Sequence, residues 1–170
     1  MKNLRIWFLL SAVIFAISSC TDHEGDPVAD MDRQFMISAA DGNLFEIKAG
    51  EIAAAKAIVD SVKSYGLHMG VDHTMATQEL MSLASKKGVT LPTTLSPAKQ
   101  MKIDSLNAKT GMDFDKTYMN MMVASHIETI NLFEMEAAKG VDPEVKSWAA
   151  GKLPTLKHHL EKAEALKNSL

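Results

Sequence analysis

Residues 114–133 read FDKTYMNMMVASHIETINLF, and this stretch decides the fold class. Phe114, Tyr118, Met122, His126, Ile130 and Phe133 recur at steps of three and four, which puts them on one face of an α-helix. The only histidine on that face is His126, near its middle. No period-two alternation of β-branched residues competes with this reading, here or elsewhere after residue 31.

The same periodicity extends in both directions. Downstream, Gly140 closes the helix, and Asp142 followed by Pro143 is a cap and first-turn proline for another helix running almost to Leu170. Its buried side is Val145, Ala149, Leu153, Leu156, His159 or Leu160, Ala163 and Leu166. Pro154 inside it removes one backbone hydrogen bond, so a kink near 151–153, or two helices meeting there, is expected. Upstream, Asp113 is the expected cap of the 114–133 helix, and a short helix over 97–109 begins at Pro97 and ends at Thr110 and Gly111. Before it, the linker VTLPTTLSP should cross the domain without regular structure. Two further long helices precede the linker. One spans about 32–57, capped by Asp30 or Asp32, with Phe35, Ala39, Gly42, Glu46, Ala49 and Ala53 on one face. The other spans about 61–87, with Val62, Tyr65, Met69, His73, Ala76, Leu80 and Leu83 on one face and Gly88 as its stop. Gly42 and Gly50 mark close approaches of another helix. The expected architecture is all-α: a four-helix bundle of two antiparallel hairpins, with a short extra helix in the middle crossover.

Composition agrees with one globular domain. The chain has 170 residues, 46% apolar and 23% charged, and with aromatics at only 6% its core must be built mainly from aliphatic residues and 12 methionines. The formal charge is -3 and becomes -5 once Lys2 and Arg5 leave with the leader described next. No basic stripe remains to neutralise phosphates, so nucleic acid is excluded as a partner.

Residues 1–20, MKNLRIWFLLSAVIFAISSC, begin with the cations Lys2 and Arg5. An apolar run from Ile6 to Ile17, broken only by Ser11, follows. The run is short for a permanent membrane span and has the form of a cleaved signal peptide. Ile17, Ser18 and Ser19 resemble the lipobox before a lipid-bearing cysteine, here Cys20. As the sole cysteine, Cys20 has no disulfide partner, and acylation explains it better than a free thiol in an oxidising compartment. The expected organisation is a lipoprotein signal peptide over 1–19, a flexible tether over 20–30 that includes His23, and a helical domain over 31–170. Cys20 would hold the chain to a bilayer, in the outer membrane of a bacterial envelope facing the periplasm or the cell surface.

Glu46, His73, His126 and His159 interrupt the apolar faces, one near the middle of each long helix. If the helices run in register, the four side chains meet at one height. Buried imidazoles and carboxylates need partners, and a divalent ion such as zinc, copper, iron or manganese would satisfy them. Met69, Tyr118 and Met122, a turn or two away, would surround such a site, the thioethers also suiting copper. Asp72 lies about 100° around its helix from His73 and has a minor role in this reading. His68 and His158 lie off the buried faces. The rival is a metal-free Glu–His network fixing helix register in a structural or protein-interaction module. A third reading is a metal-dependent redox enzyme. It is weakened by the lack of the glutamate-plus-ExxH pattern of diiron bundles, since His126 precedes Glu128 and His159 precedes Glu161 at spacings that turn each carboxylate away. HExxH, GxSxG, paired CxxC and phosphate-loop motifs are also missing.

The segments FMISAADGNLFEIKAGEIA, VKSYGLHMGVDH, FDKTYMNMMVASH and LPTLKHHLEKAEAL together resemble the DUF4142 family of exported bacterial proteins, often labelled outer membrane proteins. The resemblance implies a ferritin-like helical bundle. It also carries Glu46, Asp72, His73, Asp115, Tyr118, His126, Pro154 and His159 onto characteristic family positions. It implies no substrate and no particular metal. Gly66 and Gly70 stand where family members tend to have larger residues.

Overall fold

The computed structural model describes residues 28–170, so the leader, Cys20 and most of the tether, including His23, lie outside it. The described residues contain α-helices and no strand. The helices are α1 (Asp30–Lys56), α2 (Asp60–Lys86), α3 (Pro97–Asn107), α4 (Gly111–Lys139) and α5 (Pro143–Ser169). None of them is long and apolar enough to cross a membrane.

α1 and α2 form one hairpin, and α4 and α5 a second. α1 also packs on α4, and α2 on α5. The end of α1 meets the start of α4, where Lys56 reaches Asn107 and the Asp115 carboxylate accepts from the Ile58 and Val59 N–H groups at 3.2 and 2.8 Å. The start of α1 meets the end of α4, where Asp32 accepts from the Val141 and Asp142 N–H groups at 2.9 and 2.8 Å. α1 and α4 are therefore antiparallel, and the connection 87–110 must travel the length of the molecule. α3 lies in that connection against α1 and α4. Its start is pinned by Asp41, which accepts from the Ser96 backbone and hydroxyl at 2.8 and 2.7 Å.

These contacts correct two caps. α1 starts after Ala29 with no side-chain cap, because Asp32 is spent across the molecule on the 141–142 turn. α4 starts at Gly111, which has a φ of 58°, with Thr110 in the cap position and Asp113 inside the first turn. Asp142 does cap α5, accepting from the Glu144 and Val145 N–H groups. α5 continues through Pro154 as one helix. The face of α1 is also wider than one stripe. Phe45 is fully buried, with Lys99 and Lys102 of α3 over its ring.

The two aspartate clamps are equivalent. Asp32 and Asp115 stand 83 positions apart, as do Met36 and Met119, Glu51 and Glu134, Lys56 and Lys139, Val62 and Val145, Lys63 and Lys146, and Ser64 and Ser147. α1–α2 and α4–α5 are thus two versions of one hairpin, each lending an aspartate to the other's turn. A charged acceptor of this kind is worth about 1.5–3 kcal/mol, and its loss strands two N–H groups. Asp115→Ala should lower unfolding stability by about 2–3 kcal/mol in urea titration. Asp115→Asn, which keeps one acceptor, should lose less.

The glycines divide sharply. A Cβ on Gly50 would lie 2.6 Å from the Gly66 oxygen, and one on Gly66 would lie 2.9 Å from the Gly50 oxygen. These residues carry the α1–α2 crossing. Gly42, expected to mark a close approach, has open space instead.

The apolar interior is split in two. One cluster includes Phe45, Ala49, Tyr65, Met69, Phe114, Tyr118, Met122 and Ala163. The other includes Phe35, Met36, Leu80, Ile130, Phe133, Val145 and Leu156. On α2, α4 and α5 the changeover falls at His73, at Ser125–His126 and at His159; on α1 it falls at Asn43. A polar layer therefore crosses the middle of the helices.

Candidate metal centre

His73, His126 and His159 come from α2, α4 and α5 and are all buried. One ring nitrogen of each lies within 4.8 Å of the others. Ring centroids are 5.9 Å apart for His73–His126, 5.8 Å for His73–His159 and 5.5 Å for His126–His159.

The outer nitrogens are tied down. His126 Nδ1 is 2.9 Å from the Met122 carbonyl oxygen, four residues earlier on the same helix. A carbonyl only accepts, so Nδ1 carries the proton. His159 Nε2 is 2.9 Å from Asp72 Oδ2 and donates to it in the same way. His73 Nδ1 donates to Asn43 Oδ1 at 2.9 Å. Tyr65 adds a brace by donating its hydroxyl to the His159 carbonyl at 3.1 Å. With these tautomers, His73 Nε2, His126 Nε2 and His159 Nδ1 are left as lone-pair acceptors, and each is buried without a partner.

The residues expected around the centre fall into three groups. Glu46 is buried on α1, but its carboxylate does not join the three imidazoles; Oε1 is 3.9 Å from His126 Nδ1, the edge already committed to Met122. Burial raises the Glu46 pKa, partly offset by His126 and by the Ser125 hydroxyl beside it. Met69 and Met122 are fully buried in the adjoining apolar cluster, and it is the Met122 carbonyl that touches the site. Tyr118 is buried with an unpartnered hydroxyl, and burial raises its pKa well above the ordinary value.

Two residues that touch the histidines were undervalued by helix counting. Asn43 supplies the α1 contact expected of Glu46. Asp72 reaches across the α2–α5 seam to His159, a direction that one helical wheel cannot show. The 83-residue shift offers a signal for Asn43, because it pairs Asn43 with His126. His158 is exposed as expected, whereas exposed His68 stands 3.3 Å from Asp72 Oδ2.

A cleft of about 220 Å³ opens along the α2–α5 seam, its walls including Asn43, Asp72, His73, His159 and Trp148. It gives the centre an approach from solvent.

A family model described as a domain of unknown function, DUF4142, matches residues 18–166. The chain belongs to the DUF4142 family. A crystal structure of a DUF305 fragment from Deinococcus radiodurans resembles this DUF4142 chain with a TM-score of 0.74 at 13% identity. The match covers 85% of this chain and 100% of that one, and at such identity it is a likeness of fold alone. No curated protein matches the DUF4142 chain.

Burial disfavours the charged forms of His73 and His159. It depresses the His73 pKa well below 6.5, helped by His126 and His159. It lowers His159 to about 4, against the opposing pull of Asp72. The unfolded chain therefore takes up protons first as pH falls below 6.5, and the stability held above that pH is lost progressively toward pH 4. Glu136 works the other way: burial beside Asp32 raises it to about 7, so it favours folding as pH falls. Comparing metal-free wild type with His159→Gln isolates the imidazole contribution. Between pH 7 and pH 5, wild type should lose on the order of 2 kcal/mol more than the variant in thermal unfolding. Parallel pH profiles would contradict this.

Proposed function

We propose that this DUF4142 protein is a lipid-anchored component of the bacterial envelope whose four-helix, ferritin-like bundle binds one divalent transition-metal ion through His73, His126 and His159. One observation carries the reading: three buried imidazoles bring a ring nitrogen each within 4.8 Å of the others, and each ring keeps one nitrogen without a partner while its other nitrogen donates to a fixed oxygen. Anchored imidazoles of this kind are the usual outer support of histidine metal ligands. Three points within 4.8 Å of one another lie at most about 2.8 Å from a common centre, against the ~2.0–2.1 Å of a zinc–nitrogen bond. A side-chain shift of under about 1 Å closes that gap. Zinc, copper, iron and manganese are the candidate ions.

The α2–α5 cleft suits capture and release of an ion more than a sealed structural site. The single crossover connecting two antiparallel hairpins supports the ferritin-like assignment, but the three imidazoles differ from the glutamate-rich set of diiron oxidases. A metal-free Glu–His network, as in a structural or protein-interaction module, has one observation in its favour: the 3.9 Å approach of Glu46 to His126. It gives the three inward acceptors no donor from the chain, and one water, with two protons, could serve only two of them.

Thermal unfolding of untagged, chelator-treated protein with each of the four metals tests the site. At least one ion should raise the midpoint by several degrees; no shift with any of them would end the metal reading. Anchoring rests on Ile17–Ser18–Ser19–Cys20 and has its own test. Labelled palmitate should enter wild type in a bacterial host and be absent from Cys20→Ala, and equal labelling would contradict it.

A further inference from the structure

His159 presents two faces. Its Nδ1 is buried without a partner, and its Nε2 meets Asp72, whose Oδ2 is also 3.3 Å from His68 Nε2. One ligand atom each of His68, Asp72 and His159 lies within 4.8 Å of the others, a second such group beside the triad. His68 and Asp72 are one turn apart on α2, so a single helix presents an imidazole and a carboxylate side by side. His159 completes the group from α5. The side chains of His68 and Asp72 are 46% and 21% exposed, which leaves water to fill further coordination positions.

We propose that His68, Asp72 and His159 form a second divalent-cation site at the α2–α5 seam, sharing His159 with the inner site as a bridging imidazolate. Two imidazole nitrogens and one carboxylate oxygen form a donor set suited to zinc or copper(II). When the outer ion binds, its bond to His159 Nε2 replaces the N–H that Asp72 now accepts. That proton leaves to solvent, and Asp72 turns from acceptor to ligand. The outer ion thereby takes over the task of fixing the ring that Asp72 performs alone when only the inner ion is bound. The bridge rests on the inner-triad reading, whereas the outer donor group does not.

Copper(II) titration with electron paramagnetic resonance separates the two. Wild type should bind two equivalents and His68→Ala one; His68 is exposed, so this variant should fold. The wild-type signal should fall as the second equivalent binds, because an imidazolate couples the two spins. Equal stoichiometry in wild type and His68→Ala would overturn the outer site. Two equivalents with undiminished signal would overturn the bridge. One equivalent in wild type and in His126→Ala, with none in His68→Ala, would support the outer donors and refute both the inner triad and the bridge.

Discussion

His126→Ala should lower affinity for the preferred divalent ion by about a hundredfold or more, and should abolish its thermal stabilisation at concentrations that saturate wild type. For wild type, free ion at about one hundred times its dissociation constant adds about 2.7 kcal/mol to the folded state. The alanine removes one of three nitrogens that α2, α4 and α5 aim inward, and two remaining imidazoles make a much poorer site. It also leaves a cavity costing on the order of 2–4 kcal/mol without metal, so the decisive quantity is the metal-dependent shift within each variant. Asn43→Ala gives a graded counterpart. It frees the His73 ring to rotate while keeping every ligand, and a loss of about 10–100-fold in affinity is expected. Isothermal titration measures both. Equal affinities for wild type and His126→Ala would remove the triad from consideration.

Gly66→Ala and Gly70→Ala should change stability in opposite directions although they lie one turn apart on α2. Alanine is worth up to about 1 kcal/mol over glycine in a helix interior, and at Gly70 nothing lies within 4 Å to oppose it. At Gly66 the added carbon would meet Ala53 Cβ at 2.8 Å, the Gly50 oxygen at 2.9 Å and the Ala54 nitrogen at 3.3 Å. Two of these are backbone atoms of α1, so the helices must part or slide. Overpacking of this kind costs typically about 1–3 kcal/mol, more than the propensity gain. Gly66→Val, with two further methyl groups, should be the most destabilising single change in this hairpin. Denaturant unfolding of the three variants checks the order Gly70→Ala, wild type, Gly66→Ala, Gly66→Val. A stabilised Gly66→Ala would show that the crossing is not close.

The helices were legible because each long one keeps a 3.6-residue apolar period on either side of its single polar break, and because Gly88, Pro97, Gly140 and Asp142–Pro143 are strong local boundaries. The start of α1 was not, since Asp32 looks like a cap until the 141–142 turn comes into contact with it. Phe45 read as off the buried stripe because α3, which covers it, arrives from a distant part of the chain.

For the site, counting turns was enough to bring His73, His126 and His159 to one height. On α1 it selected Glu46 and passed over Asn43, less than one turn away, which makes the contact to His73. The choice depends on how α1 is rotated against α4, and Phe45, held beneath α3, helps fix that rotation. Asp72 was given only a minor role for a similar reason. It sits off the axis of its own buried face, yet α5 lies close enough for His159 to reach it at 2.9 Å. Contacts made across a seam between helices leave no periodic trace in either strand of the sequence pattern.

X-ray absorption at the zinc edge tests the central claim most directly, using His68→Ala protein loaded with one equivalent so that only the inner site is filled. Multiple scattering from three imidazole rings, with zinc–nitrogen distances of about 2.0–2.1 Å, is the expected result. Protein that takes up no zinc, or a shell with fewer than two imidazoles, would contradict it.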